Sequence, residues 1–153
     1  KFNGMPLSEA RAYQNGALDV YGNAPEQAVS SGQGVPCRHC LKTVPKDQPY
    51  LILAYRLFGA LQPYAELGPI FLCAAECVRA QPDELPEVLT VSPDYLIKGY
   101  TSNERIKYGT GKIVAKDASS NAIETRLKSS DLAFVDIRSA RNNCWIARAT
   151  RKA

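Results

Sequence analysis

Residues 133–150 read Ala133-Phe134-Val135-Asp136-Ile137-Arg138-Ser139-Ala140-Arg141-Asn142-Asn143-Cys144-Trp145-Ile146-Ala147-Arg148-Ala149-Thr150. Two runs, Ala133–Arg138 and Cys144–Thr150, alternate apolar and polar residues, and Ser139–Asn143 between them is polar and turn-forming. Successive side chains of a strand point to opposite faces, so period-two alternation marks strands, and a short link makes them antiparallel neighbours. The stretch predicts a β-hairpin. On its second strand Trp145, Ala147 and Ala149 are expected to face inward, with Ile146, Arg148 and Thr150 on the other side.

Outward from the hairpin, Asp94–Tyr100 and Gly109–Val114 read as further strands. So do Tyr50–Phe58, rich in β-formers, and Ile70–Cys73, entered through Gly68-Pro69. Leu61–Leu67 is expected as a loop, and Glu87–Thr90 as extended chain after the turn that Pro82 and Pro86 bracket. Helices are few. Ser8 is placed to cap a short one through Ala10–Tyr13, closed by Asn15-Gly16, and Asn121–Lys128 forms the other. From Gly22 to Pro36 the chain turns to Gly, Ser, Asn, Gln and Pro and reads as an irregular connection. The expected class is α+β, a single compact domain with a mostly antiparallel sheet and few short helices. Its 153 residues suit one domain, with residues 1–36 as N-terminal helix and connection and 37–153 as the sheet-containing core.

Composition narrows the functional classes. No apolar run approaches the ~20 residues of a membrane helix, so a soluble chain without a membrane partner is expected. It opens Lys1-Phe2-Asn3-Gly4, with no basic-then-apolar secretory pattern, which favours a cytoplasmic location. Net charge is +4, and residues 101–153 carry eleven bases against five acids, an excess of six. Such asymmetry can serve a polyanion. The alternation, however, divides Arg148 and Arg151 between two faces, and a binding groove needs converging charge. Nucleic acid is therefore not the expected partner, and a small molecule or another protein is left open.

Five cysteines carry the chemistry: Cys37, Cys40, Cys73, Cys77 and Cys144. Four form two close pairs, Cys37-Arg38-His39-Cys40 and Cys73-Ala74-Ala75-Glu76-Cys77. Two short-spaced pairs can place four thiolates tetrahedrally around zinc at about 2.3 Å, and a complete shell of sulfurs leaves no open position for water. A structural zinc held by Cys37, Cys40, Cys73 and Cys77 is the leading reading. Three others remain open. A redox dithiol of Cys37 and Cys40 would want a long helix after it, and Pro45 discourages one. Disulfides would need an oxidising compartment, and inert buried thiols need nothing. His39, the only histidine, could replace one cysteine as a ligand or act as an acid–base group, but it is expected at the surface beside the first pair, and a His-rich hydrolytic zinc site is excluded.

Other candidates are weaker. Cys144, near Arg138 and Arg141, is a possible nucleophile, with a core-facing hairpin thiol as the commoner alternative. Gly109-Thr110-Gly111-Lys112 fails as a phosphate loop, because Ile106 and Ile113 stand where glycine and Ser or Thr are required. The tyrosines at 50, 55, 64, 95, 100 and 108 could line a cleft, but more often such residues are half-buried in a sheet.

Several segments are specific in their wording. They include Pro36-Cys37-Arg38-His39-Cys40-Leu41, Tyr50-Leu51-Ile52-Leu53-Ala54-Tyr55-Arg56 and Gln62-Pro63-Tyr64-Ala65-Glu66-Leu67-Gly68-Pro69-Ile70-Phe71-Leu72. Ser92-Pro93-Asp94-Tyr95-Leu96-Ile97-Lys98-Gly99-Tyr100, Gly109-Thr110-Gly111 and the run from Val135 to Cys144 complete the set. Together they resemble an uncharacterised bacterial family, the domain of unknown function 1203, over nearly the whole chain. The resemblance implies a single α+β domain and brings no activity, substrate or cofactor with it.

Overall fold

A computed structural model describes all 153 residues. It contains two antiparallel sheets and two short helices. In chain order these are β1 (Phe2–Asn3), α1 (Leu7–Gln14), β2 (Glu26–Val29), β3 (Pro49–Arg56), β4 (Leu67–Cys73), β5 (Asp94–Tyr100), β6 (Lys112–Ala115), α2 (Ser119–Leu127), β7 (Phe134–Ser139) and β8 (Trp145–Thr150). The larger sheet runs β1-β8-β7-β5-β6 and the smaller β2-β3-β4. The α+β, mostly antiparallel class holds, with the strands divided between two sheets rather than pooled in one.

The β7–β8 hairpin is present, but a bulge changes its faces. Ile137 pairs with Ala147 and Arg138 with Trp145, so Ile146 has no partner opposite it. The extra residue shifts the alternation. Ile146, Ala147 and Ala149 then join the larger apolar core with Val135 and Ile137, under α2 and the Val88–Leu89 turn. Trp145 leaves that face for the second core, beside Tyr55 at 6.0 Å. The expected grouping of Trp145 with Ala147 and Ala149 is thus corrected.

The polar side of β7 does not face water. Asp136 is fully buried and Arg138 6% exposed, because this face lies against the smaller sheet. Burying charges is expensive unless each is paired. Arg148 meets Asp136 through two bonds of 2.8 and 3.0 Å and stacks over Phe134 at 3.4 Å. Glu66, just before β4, receives both Lys98 at 2.7 Å and Arg138 at 2.8 Å. Phe58, Tyr100 and Phe134 fill the rest of this seam.

Elsewhere the differences are local. Helix α1 begins after Pro6 without a side-chain cap, so Ser8 lies inside it. Part of the Gly22–Pro36 connection is β2, paired with β3 from Glu26↔Ile52 to Val29↔Pro49. β4 starts at Leu67, earlier than expected, and tolerates Pro69 because it is an edge strand. Glu87–Leu89 is a 3-10 turn rather than extended chain.

Candidate metal centre

The two cysteine pairs arrive at one point because the first docks on the edge of the strand that carries the second. Residues 35–44 fold back on themselves, with Val44 donating to Val35 O and Leu41 to Cys37 O. Leu41 takes a positive φ of 54° to close the turn. This hairpin then adds to the free edge of β4: Cys37 bridges Phe71 in parallel, and Arg38 N donates to Phe71 O at 3.0 Å. Two residues further on, β4 ends in Cys73, whose N–H points at the Cys37 sulfur from 3.3 Å.

The result is a cluster of four sulfurs. Those of Cys37, Cys40, Cys73 and Cys77 all lie within 4.8 Å of one another. Cys37 and Cys77 are separated by 3.9 Å, Cys40 and Cys73 by 4.0 Å. Four thiolates about 2.3 Å from a tetrahedral ion stand about 3.8 Å apart, so the arrangement fits one ion. None of the five cysteines is in a disulfide. Cys37 is buried and the other three are half-buried.

Proton sharing among the sulfurs points the same way. Hydrogen bonding, first of all with Cys40, holds the Cys37 thiol far below its ordinary range. The same contacts with Cys37 push Cys73 and Cys77 far above theirs. Without a cation, four negative charges cannot coexist in this volume. A dication bound there would supply the charge that lets every sulfur ionise.

A second layer holds the knuckles in place. Gln14 on α1 donates to the carbonyls of Cys73 and Ala75, both at 2.9 Å, and Arg11 donates to Cys77 O at 3.1 Å. Arg11 and Gln14 are three apart, hence on one helix face, and also bond each other at 2.7 Å. On the opposite flank the N-terminal strand threads between the pairs: Gly4 donates to Ala80 O and Met5 to Arg38 O. A Cβ on Gly4 would collide with the His39 carbonyl. His39 itself is fully buried, not at the surface as expected, and its ring Nδ1 lies 2.7 Å from Met5 O. That contact makes Nδ1 the donor and draws the ring into the N-terminal strand, outside the sulfur cluster. Nothing in the spacing of residues announces these supports, since the knuckle atoms they hold lie 33 to 76 residues away.

A family model described as "Protein of unknown function (DUF1203)" matches residues 34–151. The chain belongs to the DUF1203 family. No curated protein and no solved structure matches it. The DUF1203 match takes in all four clustered cysteines and Cys144, while α1, with Arg11 and Gln14, precedes it.

The other candidate residues are scattered across this DUF1203 chain. Cys144 sits at the β7–β8 turn, half-buried, its thiol 3.7 Å from Asn142 O. No helix follows Cys40, so the Cys37/Cys40 pair lacks the setting of a redox dithiol. Thr110 in the Gly109–Lys112 stretch bonds Gly99 N and Lys107 O, which makes it a structural turn. The tyrosines do not share a cleft: Tyr95 and Tyr100 are buried in the larger sheet, while Tyr64 and Tyr108 pair at the surface. Four arginines of the basic C-terminal third have partners within the fold, two of them in its interior. Arg138 and Arg148 are ion-paired in the seam, Arg141 holds Asp94 at 2.7 Å, and Arg151 donates to the carbonyls of Leu127, at the end of α2, and of Ser129 just beyond it.

Proposed function

We propose that Cys37, Cys40, Cys73 and Cys77 hold one structural zinc ion, and that this ion pins the first knuckle to the smaller sheet. The observation that carries the reading is the four-sulfur cluster with 3.9 and 4.0 Å edges. Soft thiolates in a tetrahedral set select zinc over the oxygen-seeking cations. A shell closed by four sulfurs offers no site for water or substrate, so the metal serves stability and not a reaction. No helix of the molecule is long and apolar enough to cross a membrane. Free thiols at this density belong to a reducing compartment, and the proposal places the protein in a bacterial cytoplasm. Pairing of Arg138, Arg141 and Arg148 with carboxylates of the same chain supports a protein that does not bind nucleic acid.

Purified protein should carry close to one zinc per chain by elemental analysis, and chelation should lower its melting temperature. Metal-free protein with unchanged melting would overturn the reading.

A second reading has one observation behind it. Cys144 lines a cavity at the junction of the sheets, as a thiol used in catalysis would. Labelling of Cys144 that is fast at neutral pH in the folded protein supports this reading; labelling only on unfolding removes it.

A further inference from the structure

Arg38 is a buried cation with no carboxylate partner; the Phe71 ring lies 5.7 Å from its guanidinium, and the Cys144 and Cys37 sulfurs are the acidic groups that bear on it. The side chain is 3% exposed. Its Nε donates to Trp145 O and its Nη1 to Pro36 O, both at 2.7 Å. The molecule's seven ion pairs include none to Arg38. Every other buried charge has an opposite partner, as Asp136 has Arg148 and Arg138 has Glu66. A buried guanidinium left without one is a costly arrangement, and such groups mark binding sites when they line a space. Nor do the sulfurs take its hydrogen bonds, since its bonded N–H groups go to carbonyls and Nη2 has no protein partner.

Arg38 lines a cavity of about 250 Å³ between the first knuckle, the edge of β4 and the β7–β8 turn. That volume equals about eight waters at ~30 Å³ each. The walls include Val35, Ile70, Val88 and Ile146, and besides Arg38 the polar groups come from Ser139, Asn142 and Cys144 at the β7–β8 turn and from Thr43 and Ser92. A space of this kind suits a molecule with a charged end and a compact apolar body. Guanidinium recognises planar carboxylate in particular, through charge-assisted bonds.

We propose that this cavity binds a small organic monocarboxylate, with the carboxylate received by Arg38 and the apolar body held between Val35, Val88 and Ile146. Arg38 lines the cavity from the knuckle and ligates nothing, so the site's geometry does not require the zinc, although the adjacent Cys37 sulfur favours the charged guanidinium.

The test uses the full chain as purified, with its metal content measured on the same sample. Hexanoate is titrated against ¹⁵N-labelled protein, with hexanol as the uncharged counterpart and acetate and phenylacetate as shorter and bulkier probes. Hexanoate should give saturable shifts at the amides of Val35, Ser92, Asn142 and Cys144, and bind at least about tenfold tighter than hexanol. Arg38→Gln should abolish that preference. Should the variant fail to fold, Val91→Glu serves instead: Val91 is an exposed residue on the rim, and a carboxylate there should weaken hexanoate and spare hexanol. Equal affinity for hexanol, shifts confined to another surface, or no saturation by any of the three acids below about 10 mM would overturn the proposal. Carboxylate binding by metal-free folded protein would uphold it while sinking the zinc reading, and the reverse result would separate the two the other way.

Discussion

The two sheets are stabilised by different means. The larger one closes over fifteen buried apolar residues, among them Tyr95, Ile97, Val135 and Ile137, with α2 as its lid. Burial of that kind stabilises by roughly 1.5–3 kcal/mol per large side chain and needs no other device. The smaller sheet has three strands, and its edge strand β2 is exposed along most of its length. Its eleven-residue core includes Cys37 itself and is completed by residues from α1 and the first knuckle, which are not strands of the sheet. Three strands are near the lower limit for independent stability. On the proposed zinc reading, what the larger sheet gains from area the smaller gains from a cross-link between distant chain segments.

If that contrast is right, breaking the cross-link should have the largest and most local effect. Cys77→Ser removes one ligand, and metal binding free energy in small sites, about 10–16 kcal/mol in zinc-finger peptides, is folding free energy. Hydrogen exchange should show residues 35–44 and 71–80 losing protection while β5 and β7 keep theirs. Equal loss in both sheets would mean that they unfold as one unit and would erase the contrast.

Next comes the seam between the sheets. Arg148→Met leaves Asp136 buried and unpaired, at a cost of about 3–5 kcal/mol by chemical denaturation. Burial already raises the Asp136 carboxyl, against the opposing pull of Arg148. Without Arg148 the folded state holds that proton to higher pH than the unfolded chain does. The folded state then binds more protons than the unfolded one, so stability falls as pH rises above about 4. The variant's deficit should therefore be smallest in acid and grow toward neutrality. Joint replacement, Asp136→Leu with Arg148→Met, should restore most of the loss.

Gln14→Ala tests the second layer. It deletes two hydrogen bonds to the Cys73–Cys77 knuckle and should cost about 1–2 kcal/mol. The zinc should be lost more readily to a chelator, with the larger sheet unaffected. The smallest expected effect is at Asp19, whose carboxylate accepts the amides of Asn23, Tyr21 and Ala54 and is held below the ordinary range chiefly by the first of these. A depressed folded pKa contributes stability above the unfolded pKa of about 4 that is lost as pH falls through the folded value. Protection of the Tyr21, Asn23 and Ala54 amides should persist through mild acid and fall only below about pH 4, and Asp19→Asn should remove that pH dependence.

The same contrast explains what could be read from the chain. β5 falls at Asp94–Tyr100, as its composition indicates, and the hairpin and both cysteine pairs are equally legible, because each signal lies within a short window. β2 was not, since Glu26-Gln27-Ala28-Val29 has no buried face and exists by its backbone bonds to β3. The inward turn of Asp136 and Arg138 was not either. Alternation shows that two faces differ, but the partners that make the polar one buriable, Glu66 and Arg148, come from other elements. The bulge at Ile146 and the burial of His39 under Met5 O have the same origin in distant contacts.

The central claim is that four sulfurs surround one zinc ion at the joint between the knuckle and the smaller sheet. X-ray absorption at the zinc edge on the purified protein tests it most directly. The account predicts four sulfur scatterers at about 2.3 Å and no oxygen or nitrogen in the first shell. Light-atom ligands in that shell, or folded protein that carries no metal at all, would contradict it.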